Sequence, residues 1–164
     1  MAASSDEREL IVTRVVDAPR QLVFKTWTQP EHIARWWGPQ GFTTIHCEMD
    51  VRVGGAYRFG MRSPQGTERW KRGVYREIVE PERIVFTFAW ENPGADVPRN
   101  ELLTTVTFDD EDGGTRLTLR QTPFASATLR DSHNAGWTST FERFAEYVAK
   151  TGEQRNAAPD RIAR

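Results

Sequence analysis

Near its end the chain changes period, and that change constrains the fold more than any other feature. From about Thr128 to Lys150 apolar residues recur at helical spacing: Trp137, Phe141, Phe144 and Val148 share one stripe, with His133 one turn earlier. Most of the sequence from Thr44 to Gln121 instead alternates with the period of two that marks a half-buried strand. One helical stripe and several strand faces can all leave water only if the helix is laid on the sheet. A chain of 164 residues supports one such core, and no repeat or linker divides it, so a single domain is expected over 9–150, with flexible termini at 1–8 and 151–164. Gly152 is read as the helix stop.

The elements follow in order. Glu9 to Pro19 opens with a β-branched strand; Arg20 to Thr28 and Pro30 to Trp37 read as two short helices, the second with Thr28 as its cap and ended by Gly38-Pro39. Ile45, Cys47, Met49, Val51 and Val53 then share one strand face, and Gly54-Gly55 turns the chain into Tyr57, Phe59 and Met61. Trp70 to Val79, a strand carrying Ile84, Phe86, Phe88 and Trp90 on one face, Leu102 to Phe108 and Thr115 to Gln121 follow, with a loop over Asn92 to Pro98. The reading is α+β: six or seven antiparallel strands, two short helices after the first, and a long helix last.

Composition narrows the function. The net charge of −1 supplies no field to draw nucleic acid, and the local run Arg58, Arg62, Arg69, Lys71, Arg72 and Arg76 reads as the solvated face of a sheet. No apolar run approaches the roughly 20 residues that span a bilayer, and the first residues carry no apolar signal core, so a cytoplasmic location and no membrane partner are expected. A single Cys47 and three His on different elements form no metal site, and no phosphate loop or nucleophile elbow suggests a cofactor or an enzyme. Cys47 is read as a small buried hydrophobe, and His32 and His46 as solvent-facing.

Glycines at 54, 55 and 60 allow the sheet to curve, and a straight helix cannot cover a curved sheet completely. Met49, Phe59, Phe86, Phe88, Trp90 and Leu119 from the sheet, with Trp137 and Phe141 from the helix, are the candidates to line the space left; the alternative is that they fill the core. Tyr75, Glu77, Gln121 and His133 put polar groups on apolar faces, where each needs a partner or a ligand. Gly136, before Trp137, is read as permitting close approach of the helix to sheet or ligand.

Residues 19–31, Trp36-Trp37-Gly38-Pro39, Gly54 to Phe59, Gly73 to Ile78, Pro81 to Phe86 and Gly136-Trp137, in this order, resemble the activator of heat-shock-protein-90 ATPase homologue family over Leu10 to Val148. The resemblance implies the START-like, birch-pollen-allergen-like helix-grip fold (the SRPBCC superfamily) and a ligand-sized cavity. A small hydrophobic or amphipathic ligand is the partner it suggests, in a monomer or homodimer, with a cyclase or aromatase enzyme as the alternative. A chaperone-interaction domain is the further alternative, a less expected one because the chaperone activators of this family carry an additional N-terminal domain not seen in this sequence.

Overall fold

Strand β1 (Leu10–Val16) is followed by helices α1 (Arg20–Thr28) and α2 (Pro30–Trp36), strands β2 (Thr43–Met49), β3 (Ala56–Arg62), β4 (Glu68–Val79), β5 (Arg83–Trp90), β6 (Leu102–Glu111) and β7 (Gly114–Thr122), and helix α3 (Ala127–Ile162). This computed structural model describes residues 8–91 and 101–162, with side chains described as far as 151; the loop read over Asn92 to Pro98 lies outside the described residues. All seven strands form one curved antiparallel sheet in the order β1-β7-β6-β5-β4-β3-β2, so the first strand closes against the last.

Alternation builds the core face. Ile84, Phe86 and Phe88 of β5, Val106 and Phe108 of β6, and Leu117, Leu119 and Gln121 of β7 are all buried. Helix α3 adds Trp137, Phe141, Phe144 and Val148, each at most 6% exposed, as its stripe requires. Trp27 of α1 sits at the junction, its ring within 6.4 Å of those of Trp36, Trp37, Phe108, Trp137, Phe141 and Phe144. Aromatic contacts of this kind add to the burial of area, and they join both short helices to α3 and the sheet.

Local chemistry sets several element ends. Ser126 Oγ accepts the Leu129 amide at 3.2 Å, capping α3. The helix then continues past Lys150 through Gly152, which costs about 1 kcal/mol relative to Ala but leaves the amide ladder intact. Thr28 does not cap α2: its hydroxyl donates to the Phe24 carbonyl at 3.0 Å, and Gln29 takes the cap position ahead of Pro30. β2 ends at Met49, short of the Val53 expected from alternation, and Val53 is 62% exposed. Gly73 is required sterically, since a Cβ there would lie 1.9 Å from the Thr87 carbonyl oxygen and 2.5 Å from the Tyr57 ring. That ring crosses β4 so that the Tyr57 hydroxyl can donate to the same carbonyl at 2.6 Å.

Candidate ligand cavity

At the end of the sheet where β3 finishes, β4 starts and β5 finishes, the first half of α3 stands off from the strands and reaches them through His133 and Trp137. A cavity of about 420 Å³ remains, within the range of small-molecule sites. Phe88 and Trp90 of β5, Trp37 after α2, Met61 of β3 and Trp137 of α3 give it apolar walls. Exposed Glu68 and Arg69 stand at its rim, so it opens to solvent there. Gly136 faces it from α3, and a Cβ at this position would meet nothing within 4 Å. This glycine therefore adds volume to the cavity; of the two readings of its sequence position, close approach to sheet or to ligand, the approach to the sheet is not found.

The sequence candidates do not all meet at this cavity. Phe88, Trp90, His133 and Trp137 line the cavity. Phe59, Tyr75 and Phe86 surround only a void of about 10 Å³ deeper in the sheet, room for no more than a water, and so belong to the packed core. Leu119 and Phe141 are fully buried core residues, and Met49 packs partly buried against the core near the sheet edge. Glu77 lies elsewhere: its carboxylate takes the Arg83 guanidinium at the surface. A β-bulge between Tyr75 and Glu77 inserts Arg76 into the register, which turns Glu77 off the face that strict alternation assigned to it.

Gln121 stands behind the cavity wall and organises it. Its Oε1 accepts from Trp137 Nε1 at 3.1 Å and from His133 Nδ1 at 3.0 Å, while its Nε2 donates to Thr104 Oγ1 at 3.1 Å. Trp90 Nε1 donates to His133 Nε2 at 3.1 Å. Since Nε2 must offer a lone pair to Trp90, the proton of neutral His133 resides on Nδ1. Burial first, then the nearby charges of Lys71 and Arg69, bring the His133 pKa down to about 4, in agreement with that arrangement. The imidazole is thus a fixed neutral wall group with both nitrogens engaged.

Lys71 is the site residue that the sequence reading assigned wrongly. It is only 4% exposed and points its Nζ among rings, 4.2 Å from the Trp37 centroid, 5.2 Å from Trp90 and 5.5 Å from Phe88. Among the described residues its ammonium makes no ion pair or hydrogen bond. Burial, assisted by the charge of Arg69, holds its pKa well below the usual lysine range. A desolvated cation–π contact contributes on the order of 2 kcal/mol, whereas a buried unpaired ion costs several kcal/mol, so the rings alone do not compensate it. The signal was present in the sequence: Lys71 has the same parity as Gly73 and Tyr75, whereas Arg72 and Arg76 have the other.

The remaining reactive side chains are unremarkable. His32 Nδ1 lies 2.6 Å from the Tyr147 hydroxyl, and His46 Nε2 lies 2.6 Å from Glu48 Oε1. Burial, with Glu31 nearby, pushes the Cys47 thiol up to about 11, leaving it a poor nucleophile. Among the described residues no three His, Cys, Asp or Glu side chains gather as metal ligands. No helix among them is long and apolar enough to cross a membrane.

Comparison with known proteins agrees with this architecture. A protein of Chromobacterium violaceum shares 28% identity, with 86% of this chain and 96% of that one covered and a TM-score of 0.75. Protein Ms6760 of Mycobacterium smegmatis shares 25% identity over 88% and 90% of the two chains, with a TM-score of 0.73. The AHSA1 protein of Silicibacter pomeroyi, at 22% identity, 87% and 99% coverage and a TM-score of 0.76, shares the fold. No curated protein matches the chain significantly. The model of the family described as activator of Hsp90 ATPase homolog 1-like protein matches residues 17–149, most of the chain, and with the helix laid across the curved sheet this assigns the protein to that family, within the START-like superfamily.

Proposed function

We propose that this protein is a binding module for a small apolar or amphipathic molecule held between the sheet and α3. The observation that carries the reading is the 420 Å³ cavity walled by Trp37, Phe88, Trp90 and Trp137 in an otherwise closely packed core. Acid–base catalysis is less well supported, because His133 has its lone pair engaged by Trp90 and its proton by Gln121. A nucleic-acid partner is disfavoured because Arg58, Arg62 and Arg120 are each paired with a carboxylate, Glu91, Glu68 and Glu9. A cytoplasmic location is part of the proposal and rests on the lone, unpaired Cys47.

Gly136→Leu tests the reading without removing any core side chain. The new side chain enters the cavity, and the helix gains up to about 1 kcal/mol of propensity. The variant is expected to melt no lower than wild type and to lose ligand response. For wild type, a panel of fatty acids, sterols and aromatic polyketides should include compounds that change tryptophan emission and raise Tm by mass action. A panel that leaves both untouched, or a variant that binds as well as wild type, would sink the proposal.

A further inference from the structure

We propose that the ligand is an aromatic carboxylate, its acid group paired with Lys71 Nζ and its ring system packed against Trp37, Phe88 and Trp90. The inference rests on the binding reading above and names the ligand class for that same cavity.

Hydrogen-bonding capacity decides the class. Of the polar groups lining the cavity, His133 is engaged at both nitrogens, and Thr140 donates to the Gly136 carbonyl at 2.8 Å. The rim carboxylates are committed as well: Glu68 takes Arg62 at 3.0 Å and Trp70 Nε1 at 3.3 Å, and Glu91 takes Arg58 at 2.7 and 3.1 Å. Neither turns to Lys71. Of the buried side chains on the lining, Lys71 offers a charged donor, Nζ, with no acceptor among the described residues, whereas the unpartnered Trp37 Nε1 is closed off from the open space. Charged, Nζ is a donor only. Arg69 adds a second positive charge, its guanidinium 5.5 Å from the Trp90 ring centroid. A ligand that completes the site must therefore bring acceptors and negative charge, and the ring faces around Nζ favour a flat aromatic body beside them.

The test compares two probes of the same shape, 2-naphthoate and 2-naphthamide, titrated into the full chain at neutral pH and followed by tryptophan emission and Tm. Wild type should bind 2-naphthoate about tenfold or more tightly than 2-naphthamide, the advantage of a charge-assisted hydrogen bond. Lys71→Met keeps the length of the side chain without its charge; it should remove that preference while 2-naphthamide still binds. Equal affinities in wild type, or a preference that survives in Lys71→Met, overturn the carboxylate assignment and leave the cavity reading standing. Binding of neither probe, with an unresponsive panel of neutral apolar compounds, overturns both. If Lys71→Met fails to fold, the wild-type comparison decides alone.

Discussion

Protonating His133 would set an Nε2–H against the Trp90 Nε1–H that now donates to it, while burial beside Lys71 and Arg69 already opposes a second positive charge. The folded pKa of about 4 lies below the ordinary 6.5, so between these values the unfolded chain binds a proton that the folded chain does not. Stability therefore rises with pH across that window, is fully present above about pH 6.5, and is lost toward pH 4, by on the order of 3 kcal/mol. In His133→Asn an amide can still donate to Gln121 but nothing titrates, so the difference between the two pH profiles isolates this residue. Parallel denaturation profiles for the two proteins would show that His133 is not held neutral. At this scale the sequence was legible where parity held: Gln121 and His133, two of the four polar groups read as needing a partner on an apolar face, bond to each other. It failed at Glu77, because one inserted residue in β4 reverses every later side chain and Arg76 carries no mark of a bulge. It failed at Lys71 because its charge was weighed above its position.

Among the elements, the segment between α2 and β2 contributes Trp37, Gly38, Pro39 and Phe42 to the cavity but has few backbone bonds of its own. Arg143 of α3 compensates. Its Nη1 donates to the carbonyls of Trp37 at 3.1 Å and Phe42 at 2.9 Å, and its Nη2 to that of Arg35 at 3.3 Å. Ser139 of the same helix accepts the Gln40 amide at 2.9 Å. Helix α3 thus fixes the wall opposite β5 as well as covering the sheet. Arg143→Met leaves these carbonyls to water and should destabilise the protein by about 1.5 to 3 kcal/mol, as expected for hydrogen bonds from a charged group. Amides from Trp37 to Phe42 should exchange faster in the variant, and unchanged exchange would show that the segment is held by other contacts. No sequence pattern announced this role, because it depends on backbone carbonyls of a distant segment and not on the period of the helix. The helix itself, both short helices and most of the strand faces were legible, since each buries a stripe or face of its own.

Taken as one body, the molecule is closed by all three helices: Trp27, Ile33 and Trp37 lie over Tyr75, Ile84 and Phe86 of the sheet, and α3 adds Trp137 against Phe88 and Gln121. Sequence order and the two periodicities were sufficient to place that helix on that sheet; the cavity's position was not readable, because its volume is the mismatch between two surfaces and no single residue encodes a mismatch. Only part of the candidate lining set faces the space, while Phe59, Tyr75, Phe86, Leu119 and Phe141 fill the core. The consequence for folding can be measured. A chain ended after Ala125 loses Trp137, Phe141, Phe144 and Val148, all buried, together with the hydrogen bonds of His133 and Arg143. Each such apolar side chain is worth about 1.5 to 3 kcal/mol of burial, and a domain's whole net stability is only about 5 to 15 kcal/mol. Moreover, Trp27, whose ring packs against Trp137, Phe141 and Phe144, and Phe88, whose ring packs against His133 and Trp137, would lose that cover. The shortened chain should show no cooperative thermal transition and no near-ultraviolet circular dichroism from fixed aromatic rings, whereas the full chain should show both. Should it melt cooperatively with native-like aromatic signals, the sheet and short helices would form a self-sufficient core, and α3 would be a lid over a site instead of part of the fold.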